Sequence, residues 1–169
     1  KGAGRFTVRI EGKSSHAGLD PESGSSAILE LSHVVQALHQ LNDPEAGISV
    51  NVGTIDGGTR PNVVAGASSA EVDVRIAPHE QARQVEQAIR SIEATTAGTV
   101  LAIDGGIGRP PMEPTPASRR LWMQARRAGE HLGLDLQDGR SGGVSDGNLT
   151  SQYAPTLDGL GPVGDGAHA

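Results

Sequence analysis

Two hydrophobic periods take turns along the first hundred residues, and their order limits the possible folds more than any other feature of the chain. From Arg5 to Glu11 apolar residues alternate, with Phe6, Val8 and Ile10 on one face and Arg5, Thr7, Arg9 and Glu11 on the other, which predicts a half-buried strand. From Ala27 to Leu41 the step changes to three and four residues through Ala27, Ile28, Leu31, Val34, Val35, Leu38 and Leu41. That spacing predicts an amphipathic helix, stopped by Asn42-Asp43-Pro44. Alternation returns at Ile48, Val50 and Val52 and again at Ala70, Val72, Val74 and Ile76. A second helix is expected from about Glu80 to Ala97, with Ala82, Val85, Ala88, Ile89 and Ile92 as its stripe, and a fourth strand from Val100 to Ile103. The order strand, helix, strand, strand, helix, strand predicts an α+β, ferredoxin-like βαββαβ domain: a four-stranded antiparallel sheet with both helices on one face.

Beyond it the composition changes. Gly105-Gly106-Ile107-Gly108-Arg109-Pro110-Pro111, with Pro114 and Pro116, reads as a boundary between a first domain, 1–105, and a second piece, 106–169. Thr115 is placed to cap a third helix with Pro116 in its first turn, and Leu121, Ala125, Ala128 and Leu132 give it an apolar face. After Gly133 only short apolar runs remain, Leu134 to Leu136 and Pro155 to Leu160, the latter expected as a buried strand. These residues are too few to bury a core of their own and are expected to be an incomplete α/β piece of a larger domain. Val, Ile, Leu and Phe make up roughly a fifth of the chain, near the limit where folding needs clear periodicity, and the periodicity is there. The net charge of −6 with scattered Lys and Arg argues against nucleic acid and anionic membranes as partners. No apolar run reaches the ~18 residues of a membrane helix. The absence of Cys excludes disulfides, thiolate zinc sites and a Cys nucleophile, and fits a cytoplasmic protein.

Several stretches carry candidate chemistry. Gly12-Lys13-Ser14-Ser15-His16-Ala17-Gly18 follows the first strand and surrounds one imidazole with small residues, which leaves the ring reachable. Asp56-Gly57-Gly58-Thr59-Arg60-Pro61-Asn62 is too long and too rich in Gly and Pro for a tight hairpin. Gly143-Val144-Ser145-Asp146-Gly147 satisfies G-x-S-x-G, and Ser145, Asp158 or Asp165, and His168 stand in the chain order of a serine-hydrolase triad. The few residues between Ser145 and His168 leave little room for the elements that usually intervene. Gly159-Leu160-Gly161-Pro162-Val163-Gly164 matches a dinucleotide fingerprint but lacks the helix that must follow it. Gly164-Asp165-Gly166-Ala167-His168 presents an imidazole on a glycine loop, a single possible metal ligand.

Taken in register, Ser15-His16-Ala17-Gly18, Asn51-Val52-Gly53, Gly57-Gly58-Thr59-Arg60-Pro61-Asn62-Val63-Val64, Asp73-Val74-Arg75, Ser145-Asp146-Gly147-Asn148, and Asp158-Gly159-Leu160-Gly161 through His168 resemble one family. It is the dinuclear-zinc peptidase and deacylase family of glutamate carboxypeptidase, acetylornithine deacetylase and succinyl-diaminopimelate desuccinylase, and the glutamate carboxypeptidase branch is the most similar. The resemblance implies that the first domain is a lid and dimerisation domain inserted into a catalytic domain, and that the chain forms a homodimer through it. It implies that His16 reaches the partner subunit's active site to stabilise an oxyanion, and that Asn62 and Arg75 hold a substrate carboxylate. The alternative for Arg75 is a strand-face ion pair with a neighbouring acid. It further implies that Gly143 and Ser145 line the site, with Ser145 positioning substrate, and that His168 is the last ligand of a two-zinc centre. The implied substrate is an N-acyl amino acid or small peptide with a free carboxylate, cleaved by metal-bound hydroxide. The family's other metal ligands, a His-x-Asp pair, a bridging Asp and a Glu, and the catalytic Glu have no counterpart in this chain. The chain is therefore expected to be a fragment, inactive alone and able to dimerise. A stand-alone interaction module and a serine hydrolase using Ser145 are the alternatives.

Overall fold

The computed structural model describes residues 1–161. The first domain is built as the periodicity requires. Strands β1 (Gly2–Glu11), β2 (Ser49–Gly57), β3 (Ala67–Ile76) and β4 (Val100–Arg109) form one sheet in the order β2-β3-β1-β4. Every pairing is antiparallel. Helices α1 (Ala27–Gln40) and α2 (His79–Arg90) pack on the same face of that sheet. The even-numbered residues of β1 and β3, among them Phe6, Val8, Val72 and Val74, meet Leu31, Val34 and Leu38 of α1 and Val85 and Ile89 of α2 in one core. The odd-numbered residues face away from the helices, and there Arg9 pairs with Asp104 at 2.6 Å while Thr7 donates to Glu71 at 3.0 Å. One covered and one solvated face is the usual economy of an antiparallel sheet.

The ends of α1 follow local chemistry. Ser26 caps its start by accepting from the Leu29 N–H at 3.2 Å. Asn42 closes the other end: its amide donates to the carbonyls of His39 and Val50 and accepts from the Val50 N–H, tying the helix to β2.

Helix α2 stops at Arg90, short of the expected Ala97. The reason is Glu30, whose side chain is fully buried on α1. Its carboxylate accepts from the Thr95 N–H at 3.1 Å and from the Thr96 N–H at 2.6 Å, and from the Thr95 hydroxyl at 3.2 Å. Those amides are taken from the helical ladder, and a buried carboxylate without donors would be costly. At its other end α2 lacks a side-chain cap of its own, and Glu113 supplies one by accepting from the His79 N–H at 2.8 Å.

Strand β4 runs past the expected Ile103 to Arg109, so the glycine-rich stretch expected as a break is paired with β1 as far as Ala3 and Arg109. Gly105 has φ 108°, and a Cβ there would fall on the Arg5 carbonyl. Only glycine adopts that backbone conformation so close to β1, and one extra residue of β4 is taken up further along, where the register shifts between Gly106 and Arg109. Arg90 donates to the Gly105 carbonyl and lies 5.8 Å from the centre of the Phe6 ring.

Helix α3 (Pro116–His131) begins as expected at Thr115, which forms a reciprocal capping pair with Ser118. Its apolar face stays largely uncovered among the described residues: Gly129 alone is buried, while Met123 and Leu132 are exposed. A short helix, α4 (Gly147–Thr150), follows the glycine loop. Pro155 to Leu160 is not a strand. It is irregular and mostly exposed, because no described strand lies alongside to pair with it.

Candidate active site

The residues singled out in the sequence gather at two opposite ends of the sheet. At the first end β1 and β3 run on into two loops that are stitched by backbone hydrogen bonds. Gly12 N–H donates to the Gly66 carbonyl at 2.9 Å, Val64 N–H to Ser15 at 3.0 Å, and Ala17 N–H to Asn62 at 3.0 Å. His16 forms a bridge with Val63, so His16 and Asn62 sit on neighbouring rungs. A third segment joins through reciprocal bonds between Lys13 and Ser25. The loops pass so close that a Cβ on Gly12 would collide with the Ser25 carbonyl, which gives the small residues here a packing role as well.

His16 is exposed, and its Nδ1 accepts from the N–H groups of Gly18 and Leu19, both at 3.2 Å. In a neutral imidazole whose Nδ1 is an acceptor, the hydrogen is on Nε2. The loop therefore orients the ring and leaves an N–H donor pointing away from its own backbone. That is the group an oxyanion needs. Asn62 is likewise exposed.

Arg75 lies at the other end of β3, opposite Ala3 of β1. About 30 Å separates it from the His16 loop, at a rise of ~3.4 Å per strand residue. Its guanidinium forks onto Asp73, Nε at 2.7 Å and Nη2 at 2.9 Å. That hydrogen-bonded pairing pushes its pKa up and keeps it charged. The strand-face ion pair is thus present, and it leaves Nη1 outside the fork. Ser145 and Gly143 are at this same end, because the loop that carries them is fastened to the start of β1 and the end of β4. Asn148 donates to the carbonyls of Lys1 and Pro110 at 2.8 and 2.9 Å, and Arg109 pairs with Asp146 at 3.2 Å.

The Ser145 hydroxyl donates to Asp158 and accepts from the Gly147 N–H at 2.9 Å. The Ser145 bond, with help from the Gly159 N–H, holds the Asp158 carboxyl below the ordinary carboxylate range. A carboxylate held in its charged form makes a weak base, and no imidazole among the described residues touches Ser145. No described strand leads into the G-x-S-x-G turn either. The arrangement is that of a serine organising its own loop.

His168, with the rest of 162–169, lies outside the described residues. Among the described residues no group of three or more His, Cys, Asp or Glu is placed to hold a metal ion. Sequence reading gave Asn148 no role, although it stands within the quoted Ser145-Asp146-Gly147-Asn148 motif and makes the bonds that fasten this loop to the sheet.

Residues 1–99 match the peptidase dimerisation domain family. Carboxypeptidase G2 of Pseudomonas sp. is 26% identical over 170 residues, covering 96% of this chain and 40% of that protein. A probable carboxypeptidase of Uncinocarpus reesii is 33% identical over 129 residues, covering 67% of this chain and 29% of its own length. The aminopeptidase PepT of Bacillus cereus superposes with a TM-score of 0.71 at 22% identity, over 91% of this chain and 42% of that one, a likeness of fold. The chain thus spans less than half the length of each.

Proposed function

The chain belongs to the peptidase dimerisation domain family, and from that premise we propose that it is part of a carboxypeptidase or deacylase whose active site is shared between two copies. The substrate is an N-acyl amino acid or small peptide with a free carboxylate, hydrolysed at its amide bond. The observation that carries this reading is the distance between the two groups of residues. His16 and Asn62 stand about 30 Å from Arg75 and Ser145 along the sheet, and one chain cannot aim both at a single amide bond. Two chains can, each lending its loop end to the other's opposite end.

Each residue then has a role its geometry suits. The His16 Nε2–H donates to the oxygen that becomes negative as the carbonyl is attacked, a contribution of about 100- to 1000-fold in rate. Asn62 from the same loop end and Arg75 from the partner hold the substrate carboxylate, the latter through the nitrogen that Asp73 does not use. Gly143 and Ser145 line the floor beside Arg75. Two zinc ions, with His168 as one ligand, belong to the proposal for the parent enzyme. The described residues offer no ligand cluster and a lone imidazole falls short of the three or four protein ligands that zinc takes. The chain alone is expected to be inactive.

The outer edge of β2 offers the surface for pairing. It is unpaired within the sheet, and a groove of about 500 Å³ lined by Val35, Gln36, His39, Val50 and Val52 runs between that edge and α1. Ile28 and Leu29 at the start of α1 and Ile55 on β2 are exposed as well. A second copy adding its β2 would continue the sheet. The same edge supports the second reading, a self-contained dimerisation module, for the chain by itself. The division into lid and catalytic piece, expected near residue 105, is placed by this reading after Arg109, where β4 ends. A cytoplasmic location stays with the proposal. Among the described residues no helix is long and apolar enough to cross a membrane.

Mixing two inactive variants of the parent enzyme tests the shared site. His16→Ala and Arg75→Ala homodimers are each expected to lose at least about 100-fold in kcat/KM. After subunit exchange, mixed dimers contain one site with both residues intact, and up to about a quarter of wild-type activity should return on random pairing. Failure to recover any activity in proven mixed dimers would show that each site uses His16 and Arg75 of one chain.

A further inference from the structure

We infer that Asn148 is a positioning residue that holds the Gly143–Ser145 loop in register with Arg75, by gripping both neighbouring strand ends at once. The inference rests on the proposed function for the meaning of that loop, but its geometry stands on its own. Asn148 is 4% exposed. Its Nδ2 donates to the Lys1 carbonyl at 2.8 Å and to the Pro110 carbonyl at 2.9 Å, and its Oδ1 accepts from the Ser145 N–H at 2.9 Å. Both amide hydrogens are used, and the oxygen is engaged as well.

The three partners come from three separate parts of the chain. Lys1 precedes the first residue of β1 and Pro110 follows the last residue of β4, and those strands are neighbours with Ala3 opposite Arg109. Ala3 is also opposite Arg75 on its other side. One amide group thus measures the position of the loop against the two strand ends next to Arg75, and it does so only while those ends lie side by side. The Ser145 loop is otherwise attached here by the exposed Arg109–Asp146 pair, a weak tether, and by the Lys1 amine, which donates to the Ser141 carbonyl at 2.9 Å.

The chemistry requires asparagine. Aspartate keeps an acceptor for Ser145 but presents oxygen to two carbonyls. Leucine leaves two buried carbonyls and one N–H without partners, each a cost in free energy. Glutamine is one carbon too long to make the same three contacts.

Asn148→Asp and Asn148→Leu in the full 169-residue chain provide the test, read by amide hydrogen exchange resolved by residue. In both variants the protection factors of Ser145 and Gly147 should fall about tenfold or more, while Val8 and Val72 in the sheet keep theirs. Protection in Asn148→Asp should partly return as pH is lowered and the new acid regains one O–H donor, whereas Asn148→Leu should show no such recovery. In the parent enzyme Asn148→Asp should raise KM about tenfold with kcat within about threefold of wild type, the pattern of lost substrate positioning. Unchanged protection at Ser145 would overturn the inference. So would loss of protection throughout the sheet, which would make Asn148 a general fold residue, or a fall in kcat at constant KM. The exchange result does not depend on activity, so failure of the shared-site reading would appear separately in the subunit-mixing experiment.

Discussion

The two ends of the sheet hold their candidate residues by different means. At the His16 end, three loop segments are joined by backbone hydrogen bonds that prolong the β1 and β3 ladder, with the helical core directly beneath. At the Arg75 end, the Ser145 loop is attached mostly through side chains: the amide of Asn148 and the Arg109–Asp146 pair, with one bond from the Lys1 amine to the Ser141 carbonyl beside them. A backbone stitch survives most substitutions, because every residue but proline supplies the same N–H and C=O groups. A side-chain clasp depends on particular residues. The first end should therefore be as stable as the sheet, and the second should be separable from it.

The severest way to challenge this contrast is through the core. Phe6 is fully buried on β1 and supports the whole sheet. Phe6→Ala is expected to cost about 3–5 kcal/mol. Denaturant titration followed by far-ultraviolet circular dichroism should show this loss, while fluorescence of Trp122 on α3 should shift less. Coincident, equally displaced transitions would mean that the two regions unfold as one.

A smaller effect is expected from the carboxylate of Glu30. Burial alone would push its pKa up, but the bonds from Thr96 and Thr95 outweigh that and hold it below the ordinary value of 4.5. A group with a depressed folded-state pKa stabilises the protein above its unfolded pKa, and that contribution is lost as pH falls through the folded value. Glu30→Gln should cost about 1.5–3 kcal/mol at pH 7. It should also flatten the decline in stability below about pH 4.5, seen in urea midpoints collected from pH 7 to pH 3. An unchanged acid limb would assign that decline to other carboxylates.

The mildest perturbation sharpens the contrast at the other end. Arg109 and Asp146 are both substantially exposed, and Arg109→Ala should cost no more than about 0.2–1 kcal/mol. Exchange at Ser145 should rise slightly and the sheet should be unaffected. A loss as large as that of Asn148→Asp would make the ion pair, and not the amide, the main fastening.

The same contrast explains what could be read in advance. The chain order of the four strands and the first two helices and the Thr115 cap follow from hydrophobic period and from the motifs at element ends, whereas the stitching of the His16 loop to the Asn62 loop appears only in the structure. The misread features depend on partners distant in sequence. Ser91 to Ala97 has an acceptable helical pattern, and only the contact of Glu30 with Thr95 and Thr96 shows why it is not helix. Gly105 to Arg109 lacks the side chains that mark a strand, yet it is paired because glycine alone clears the Arg5 carbonyl. Asn148 looks like an ordinary loop asparagine until Lys1 and Pro110 arrive on either side of it. Leu157 and Leu160 suggest a strand, but pattern cannot supply the neighbour a strand needs.

Glu30 also divides the molecule by its response to salt. The contacts that stabilise its charge are amide and hydroxyl dipoles fixed in the interior, with His33 the nearest basic side chain at 3.8 Å. Mobile ions in solvent screen exposed charges over a Debye length of ~8 Å at physiological ionic strength, but they have little access to a buried site. Raising the ionic strength should therefore weaken Arg9–Asp104 and Arg109–Asp146 on the surface while the bond between α1 and the Thr95 loop holds. The protein is anchored inside by an ion that needs no counterion.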